Sequence, residues 1–224
     1  MASKSAGNRP DWSTAVAHLR RCDPVMRKVI AAVGECTLAP RRDHFVVLCK
    51  SIYTQQISTA VAAVLFSRFR NCFPLRRPTP QRTLELLSHE GAWRGCGLSR
   101  QKRSYLIDLA AHFVNGRIPR RLSVMGDEAV IDALVAVKGI GRWTAEMFLI
   151  FTLNRPDVLP VDDLGLQTAL RDAYRLPERP KAAELRALAE PWRPYRTIAT
   201  WYLWRWMAAQ AAAKPRRRPT RAAR

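Results

Sequence analysis

Acidic residues are scarce in this chain. Its 224 residues include 18 Asp and Glu against 38 Lys and Arg, a formal net charge of +20. A surplus of that size asks for a polyanionic partner, and nucleic acid is the commonest one. Long apolar runs are missing as well: residues 147–153 fall far short of the about 20 that cross a bilayer. A basic membrane-surface protein would need a terminal amphipathic helix with cations opposite a continuous apolar face. The first ten residues are polar and short of apolar side chains, so they read neither as that helix nor as a signal peptide. No membrane partner is expected, and the chain reads as intracellular. Cysteines are five, an odd number, widely spaced, without a CxxC pair and absent after Cys96. They read as reduced core thiols, and no zinc or iron–sulfur cluster is expected. Alternating strand patterns are almost absent.

What remains is helical. Apolar residues three and four apart run through 11–19, 23–33, 43–57, 58–70, 99–114, 127–137, 142–153, 163–174, 181–189 and 194–213. Pro74, Pro78, Gly95, Gly97, Gly116, Gly126 and Pro156 punctuate the joins. The pattern predicts an all-α globular fold of about ten helices, with Asp23, Ser58 and Asp127 suited to cap the helices they precede. Residues 1–10 are expected to be a flexible N-terminus, 11–213 the folded part and 214–224 a disordered basic tail. The tail holds six of the basic residues, so the remainder still carries 20 − 6 = +14 and the basic character belongs to the fold.

Two features carry chemistry. Val137-Lys138-Gly139-Ile140-Gly141 joins two helical runs, and a glycine pair around one apolar residue permits a sharp turn with positive φ. Such a turn presents backbone amides at the start of the next helix, where they and the helix dipole can hold a phosphate. A tight helix–helix connection needs the same residues, so the turn alone leaves both readings open. Lys138 and Arg142 flank it and suit a DNA-backbone anchor. Twenty residues after Trp143 comes Val161-Asp162-Asp163-Leu164-Gly165, two carboxylates at a helix start. Acids there cap helices and favour the dipole, which is a sufficient reason for them by itself.

The stretch Val137-Lys138-Gly139-Ile140-Gly141-Arg142-Trp143-Thr144-Ala145, followed at its spacing by Asp163, resembles the signature of the helix-hairpin-helix DNA glycosylases. Ile52-Tyr53-Thr54-Gln55-Gln56-Ile57-Ser58 is similar to the family segment that supplies a DNA-wedging residue. Gly97-Leu98-Ser99-Arg100-Gln101-Lys102, Tyr195-Arg196-Thr197 and Trp201-Tyr202-Leu203-Trp204 resemble the 3-methyladenine DNA glycosylase II branch. The likeness runs in register over roughly residues 11–210.

The resemblance implies two helical lobes with an active-site cleft between them and a compact form of the family. It implies base flipping and hydrolysis of the N-glycosidic bond of alkylated purines in damaged double-stranded DNA: 3-methyladenine, 7-methylguanine, with ethenoadenine or hypoxanthine as further substrates. Asp163 would be the catalytic carboxylate, Gln56 the wedge, and Trp143, Trp204, Met147 and Tyr53 the base pocket. Lys138, Gly139, Gly141, Arg142 and Thr144 would bind phosphate, and the carbonyls of Val135, Val137 and Ile140 would hold a Na+ or K+ ion. No other cofactor is implied. Bifunctional relatives carry a lysine nucleophile where this chain has Trp143, so strand nicking is not expected. A monomer is expected, working in the cytoplasm on the nucleoid of a bacterium or in the nucleus of a eukaryote. The alternative is a non-catalytic helix-hairpin-helix module that clamps phosphate and releases no base.

Overall fold

The structure, a computed structural model, describes residues 10–89, 91, 93–119 and 121–213. Most of the N-terminal segment expected to be flexible, and the whole basic tail from Lys214, lie outside the described residues. Among the described residues there are eleven α-helices and no strand. They are α1 (Ser13–Cys22), α2 (Pro24–Val33), α3 (His44–Thr54), α4 (Thr59–Asn71), α5 (Pro80–Ser88) and α6 (Arg100–Val114). Then follow α7 (Asp127–Val135), α8 (Arg142–Phe148), α9 (Leu164–Tyr174), α10 (Ala182–Ala189) and α11 (Arg196–Ala213). Contacts divide the chain into two units. One draws on Met1–Leu38 and Pro156–Arg224, the other is Ala39–Arg155.

The middle unit is built around α3. Phe45, Leu48, Cys49, Ile52 and Tyr53 repeat at three- and four-residue steps and are all buried, so one continuous face of this helix is core. It packs on α4 and α6, which offer Phe66, Phe69, Leu106, Leu109 and Ala110. Tyr53 lies 5.4 Å from Phe66 and 5.3 Å from Phe69 between ring centroids, spacing suited to tilted and edge contacts. In the other unit α11 is buried without interruption from Thr197 to Leu203, wrapped by α1, α2 and α9. A helix apolar all round belongs inside.

Local chemistry sets the helix starts. Asp23 caps α2, Asp43 caps α3 and Ser58 caps α4, each accepting backbone N–H groups of the first turn. Asp127 departs from expectation: Gly126 occupies the cap position, and Asp127 is the first helical residue, paired with Arg155 at 3.2 Å. Helix α5 is the element that the periodicity missed. Thr79 caps it by accepting from Arg82 N, and Pro80 stands at its first position, where a missing N–H costs nothing. The run expected at 142–153 changes pitch instead of continuing: α8 ends at Phe148 and a π-helical turn, Leu149–Leu153, closes it.

Candidate functional site

In the middle unit the sequence folds three segments around one cavity of about 700 Å³. Its lining includes Gln56 after α3, Lys102 and Tyr105 of α6, and Gly139, Trp143, Thr144 and Met147 of the hairpin and α8. A second cavity of about 310 Å³ shares Ser51, Thr54, Thr144 and Met147 and adds Phe148 and Phe151. Trp143 keeps 50% of its surface exposed, an unusual state for an indole without an aqueous or ligand-facing duty. Thr144, expected at the phosphate edge, lines both cavities beside Met147.

Tyr53 does not join them. It is 0% exposed, its hydroxyl donates to Cys96 O at 3.3 Å, and burial pushes its phenol pKa well up. It faces the α3–α4 core because its position in the register of that helix is a core position, so the base-pocket expectation is corrected for this residue. Gln56 is exposed and has φ +58, a left-handed conformation uncommon for a residue with a Cβ.

The turn between α7 and α8 needs only one of its two glycines for conformation. Gly139 has φ +80, and a Cβ built on it would lie 2.2 Å from Tyr105 Cδ2, so the tyrosine ring rests against the bare backbone. Gly141 is extended, φ −92 and ψ 172, with open space where a Cβ would be. Lys138 is exposed, and its backbone N–H donates to Asp108 Oδ2 at 2.8 Å. Val137 and Ile140 are buried, and Val135 is partly exposed.

Arg142 does not fit the anchor role its position suggested. Its guanidinium holds Glu128 by two hydrogen bonds of 3.0 and 2.7 Å and reaches Glu146 at 3.3 Å. Hydrogen bonding from Arg142 holds the Glu128 carboxyl below its ordinary range. One cation facing two carboxylates offers no net positive charge to a phosphate.

In the other unit Asp163 is the N-cap of α9. One oxygen, Oδ1, accepts from Leu166 N at 2.6 Å and from the Trp204 indole N–H at 2.9 Å. Trp204, expected in the base pocket, thus spends its only donor on the carboxylate. Gly165 lies beside the pair: a Cβ there would sit 3.0 Å from Asp163 Oδ1 and 3.5 Å from Trp204 Nε1. Sequence reading passed over Gly165, Gln55, Lys102 and Tyr105 as working residues. Lys102 closes the Gly97–Lys102 stretch, whose resemblance carried no role for it, and Tyr105 lies three residues beyond that stretch.

Comparison with known proteins agrees over nearly the whole length. A family model described as HhH-GPD superfamily base excision DNA repair protein matches residues 49–194. The chain is 33% identical over 204 residues to the alkylbase DNA glycosidase-like protein mag2 of Schizosaccharomyces pombe, covering 87% of this chain and 93% of that protein. A solved DNA-3-methyladenine glycosidase from Bacillus halodurans superposes with a TM-score of 0.80 at 31% identity, over 92% of this chain and 94% of that one. The 3-methyladenine DNA glycosylase of S. pombe, solved in complex with abasic DNA, gives 0.73 at 33% identity, over 86% and 95%. With a matching helix-hairpin-helix turn, a carboxylate fixed at a helix start, and similarity of this extent, the chain belongs to the HhH-GPD superfamily of base excision DNA repair proteins.

Proposed function

We propose that the chain is a monofunctional DNA glycosylase that removes alkylated purines from duplex DNA, with Asp163 as the group that stabilises the reacting sugar. The observation that carries this is the fixation of Asp163 Oδ1 by a helix N-terminal amide and the Trp204 indole. As the base departs, the deoxyribose gains oxocarbenium character, and a carboxylate already held in place stabilises that charge without reorganising. The same carboxylate can orient the attacking water. Alkylation at N3 or N7 gives the purine a positive charge, so it leaves without a general acid. That is why one carboxylate suffices, and why relatives named for 3-methyladenine are apt guides to substrate. Trp143, half exposed on α8, offers a π face to such a cation, worth about 0.5–2 kcal/mol. It bears no amine, so no Schiff base forms and the strand stays intact.

Damaged double-stranded DNA is the partner, engaged by one monomer at one site, on the nucleoid of a bacterium or in a eukaryotic nucleus. The hairpin at Gly139 to Gly141, with exposed Lys138, serves the phosphate. The carbonyls of Val135, Val137 and Ile140 would hold a Na+ or K+ ion there. They are neutral, hard donors at the end of α7 and on the turn after it, and Val137 O, which accepts from Ile140 N at 3.1 Å, retains its second lone pair. The ion would add positive charge beside the phosphate.

Asp163→Asn tests the chemistry cleanly. Asn keeps an acceptor for Leu166 N and Trp204 Nε1, removes the charge and turns the second oxygen into an N–H donor. Base release from methylated duplex should fall by at least about a hundredfold with duplex binding retained. Neither protein should nick the strand. Binding without release by the native protein, across alkylated, etheno and deaminated duplexes, would overturn the reading in favour of a phosphate-clamping module.

A further inference from the structure

Gln56 is strained, and its surroundings explain why it stays so. A left-handed residue other than glycine costs about 1 kcal/mol or more, and it persists where neighbouring structure over-determines it. Two groups do that here. Lys102 Nζ, from the first turn of α6, donates to Tyr53 O and to Gln55 O, both at 2.8 Å. The second of these is the carbonyl of the peptide that joins Gln55 to Gln56. Gln55 in turn sends its side-chain Nε2 to Gly139 O at 2.8 Å. A cation on terminal carbonyls also suits the negative end of the α3 dipole.

The same small region fixes the hairpin. Tyr105, one turn beyond Lys102 on α6, lies against Gly139, and Gln101 Nε2 donates to the Tyr105 hydroxyl at 2.7 Å. The chain carrying Gln56 and the turn expected to hold phosphate are therefore tied to each other through Gln55 and to one helix, α6, through Lys102 and Tyr105. All of these residues are in the middle unit. Burial lowers the Lys102 ammonium from its ordinary range, the mark of a lysine partly withdrawn from water. Its two carbonyl bonds set a direction, whereas an exposed lysine serves as a loose charge.

We propose that Lys102 and Gln55 are positioning residues that hold Gln56 in its left-handed conformation, ready to enter the base stack, and keep it in register with the phosphate-binding hairpin. The proposal rests on the reading of Gln56 as the wedge. It requires no contact of Lys102 with DNA. Losing Lys102 should therefore spare binding to intact duplex and impair recognition of a gap in the stack.

The test uses the full chain and two duplexes, one intact and one carrying a tetrahydrofuran abasic site with 2-aminopurine opposite it. Lys102→Met should bind intact duplex within about twofold of the parent, since the lost charge faces carbonyls and not phosphate. Its preference for the abasic duplex should fall about tenfold, with the 2-aminopurine fluorescence change largely lost. Lys102→Arg should restore at least half of that preference, which a general loss of stability would not permit. Gln55→Leu, which leaves the lysine contacts in place, should lose about three- to fivefold and carries the test if Lys102→Met fails to fold. Gln56→Ala separates the two ideas. Parental preference and fluorescence in Gln56→Ala overturn the wedge reading itself. Loss in Gln56→Ala with parental behaviour in folded Lys102→Met, or in Gln55→Leu, overturns the positioning role alone.

Discussion

Gly165 stands two residues after Asp163, and its missing side chain is what lets the carboxylate and the Trp204 indole meet over α9. A Cβ at 3.0 Å from Oδ1 would push the acceptor by a few tenths of an ångström or turn it away from the indole. Helix propensity works the other way, since Ala in place of Gly favours a helix by about 0.5–1 kcal/mol. Stability and activity should therefore part company in Gly165→Ala. Its melting temperature should equal or exceed that of the parent, while single-turnover base release falls about tenfold. A release rate within twofold of the parent would show that the carboxylate tolerates the shift. At this scale the sequence was informative in part. Asp163 was readable as a helix cap, and only its family context made it a catalytic candidate. Its bond to Trp204 spans 41 positions, and no local pattern announces a contact of that separation. Arg142 illustrates the same limit: its bond to Glu146 has helical spacing, but the stronger tie to Glu128, 14 positions earlier, depends on how α7 meets α8.

Among elements, boundaries expose the competition between local and tertiary causes. The apolar pattern carries α3 to residue 57, yet the helix stops at Thr54, where Gln55 turns extended, Gln56 turns left-handed and Lys102 bonds the Tyr53 and Gln55 carbonyls. Helix α5 hides behind Pro78 and Pro80, which read as breakers unless the Thr79-Pro80 start signal is given precedence. The start of α2 was plain from Asp23, but the weight that this residue bears was not. Asp23 is only 7% exposed, and Oδ1 accepts Val25 N at 2.8 Å and Met26 N at 3.0 Å. Oδ2 accepts Trp192 Nε1 at 2.8 Å and the Tyr174 hydroxyl, so one carboxylate binds α2, the end of α9 and the segment after α10. Replacing it with Ala removes a cap and strands the buried Trp192 indole and the half-buried Tyr174 hydroxyl. Asp23→Ala should lose about 3 kcal/mol of stability, seen as a lower denaturation midpoint. Base release per folded molecule should be unchanged, because none of these partners belongs to the site.

At the scale of the whole molecule, the proposed function assigns encounter to charge and chemistry to the fixed carboxylate, and salt can separate the two. A net charge of +20 makes duplex binding largely a matter of releasing counterions from phosphate. A protein engaging six or more phosphates loses about a thousandfold in affinity between 50 and 200 mM salt. The proposed reaction step should answer to something else. Asp163 is held by an amide and an indole over distances of 2.6 and 2.9 Å, far inside the screening length of about 8 Å at physiological salt. Single-turnover release measured with protein saturating over methylated duplex should therefore change less than about threefold over the same salt range. Asp163→Asn should reproduce the binding slope of the parent, because Asn preserves the hydrogen bonds and the basic surface is untouched. A saturated rate that falls in parallel with affinity would place the salt-sensitive contacts within the reaction step itself. Salt would then act on the flipped, reacting state as well as on encounter, and the division of labour between surface charge and fixed carboxylate would have to be abandoned.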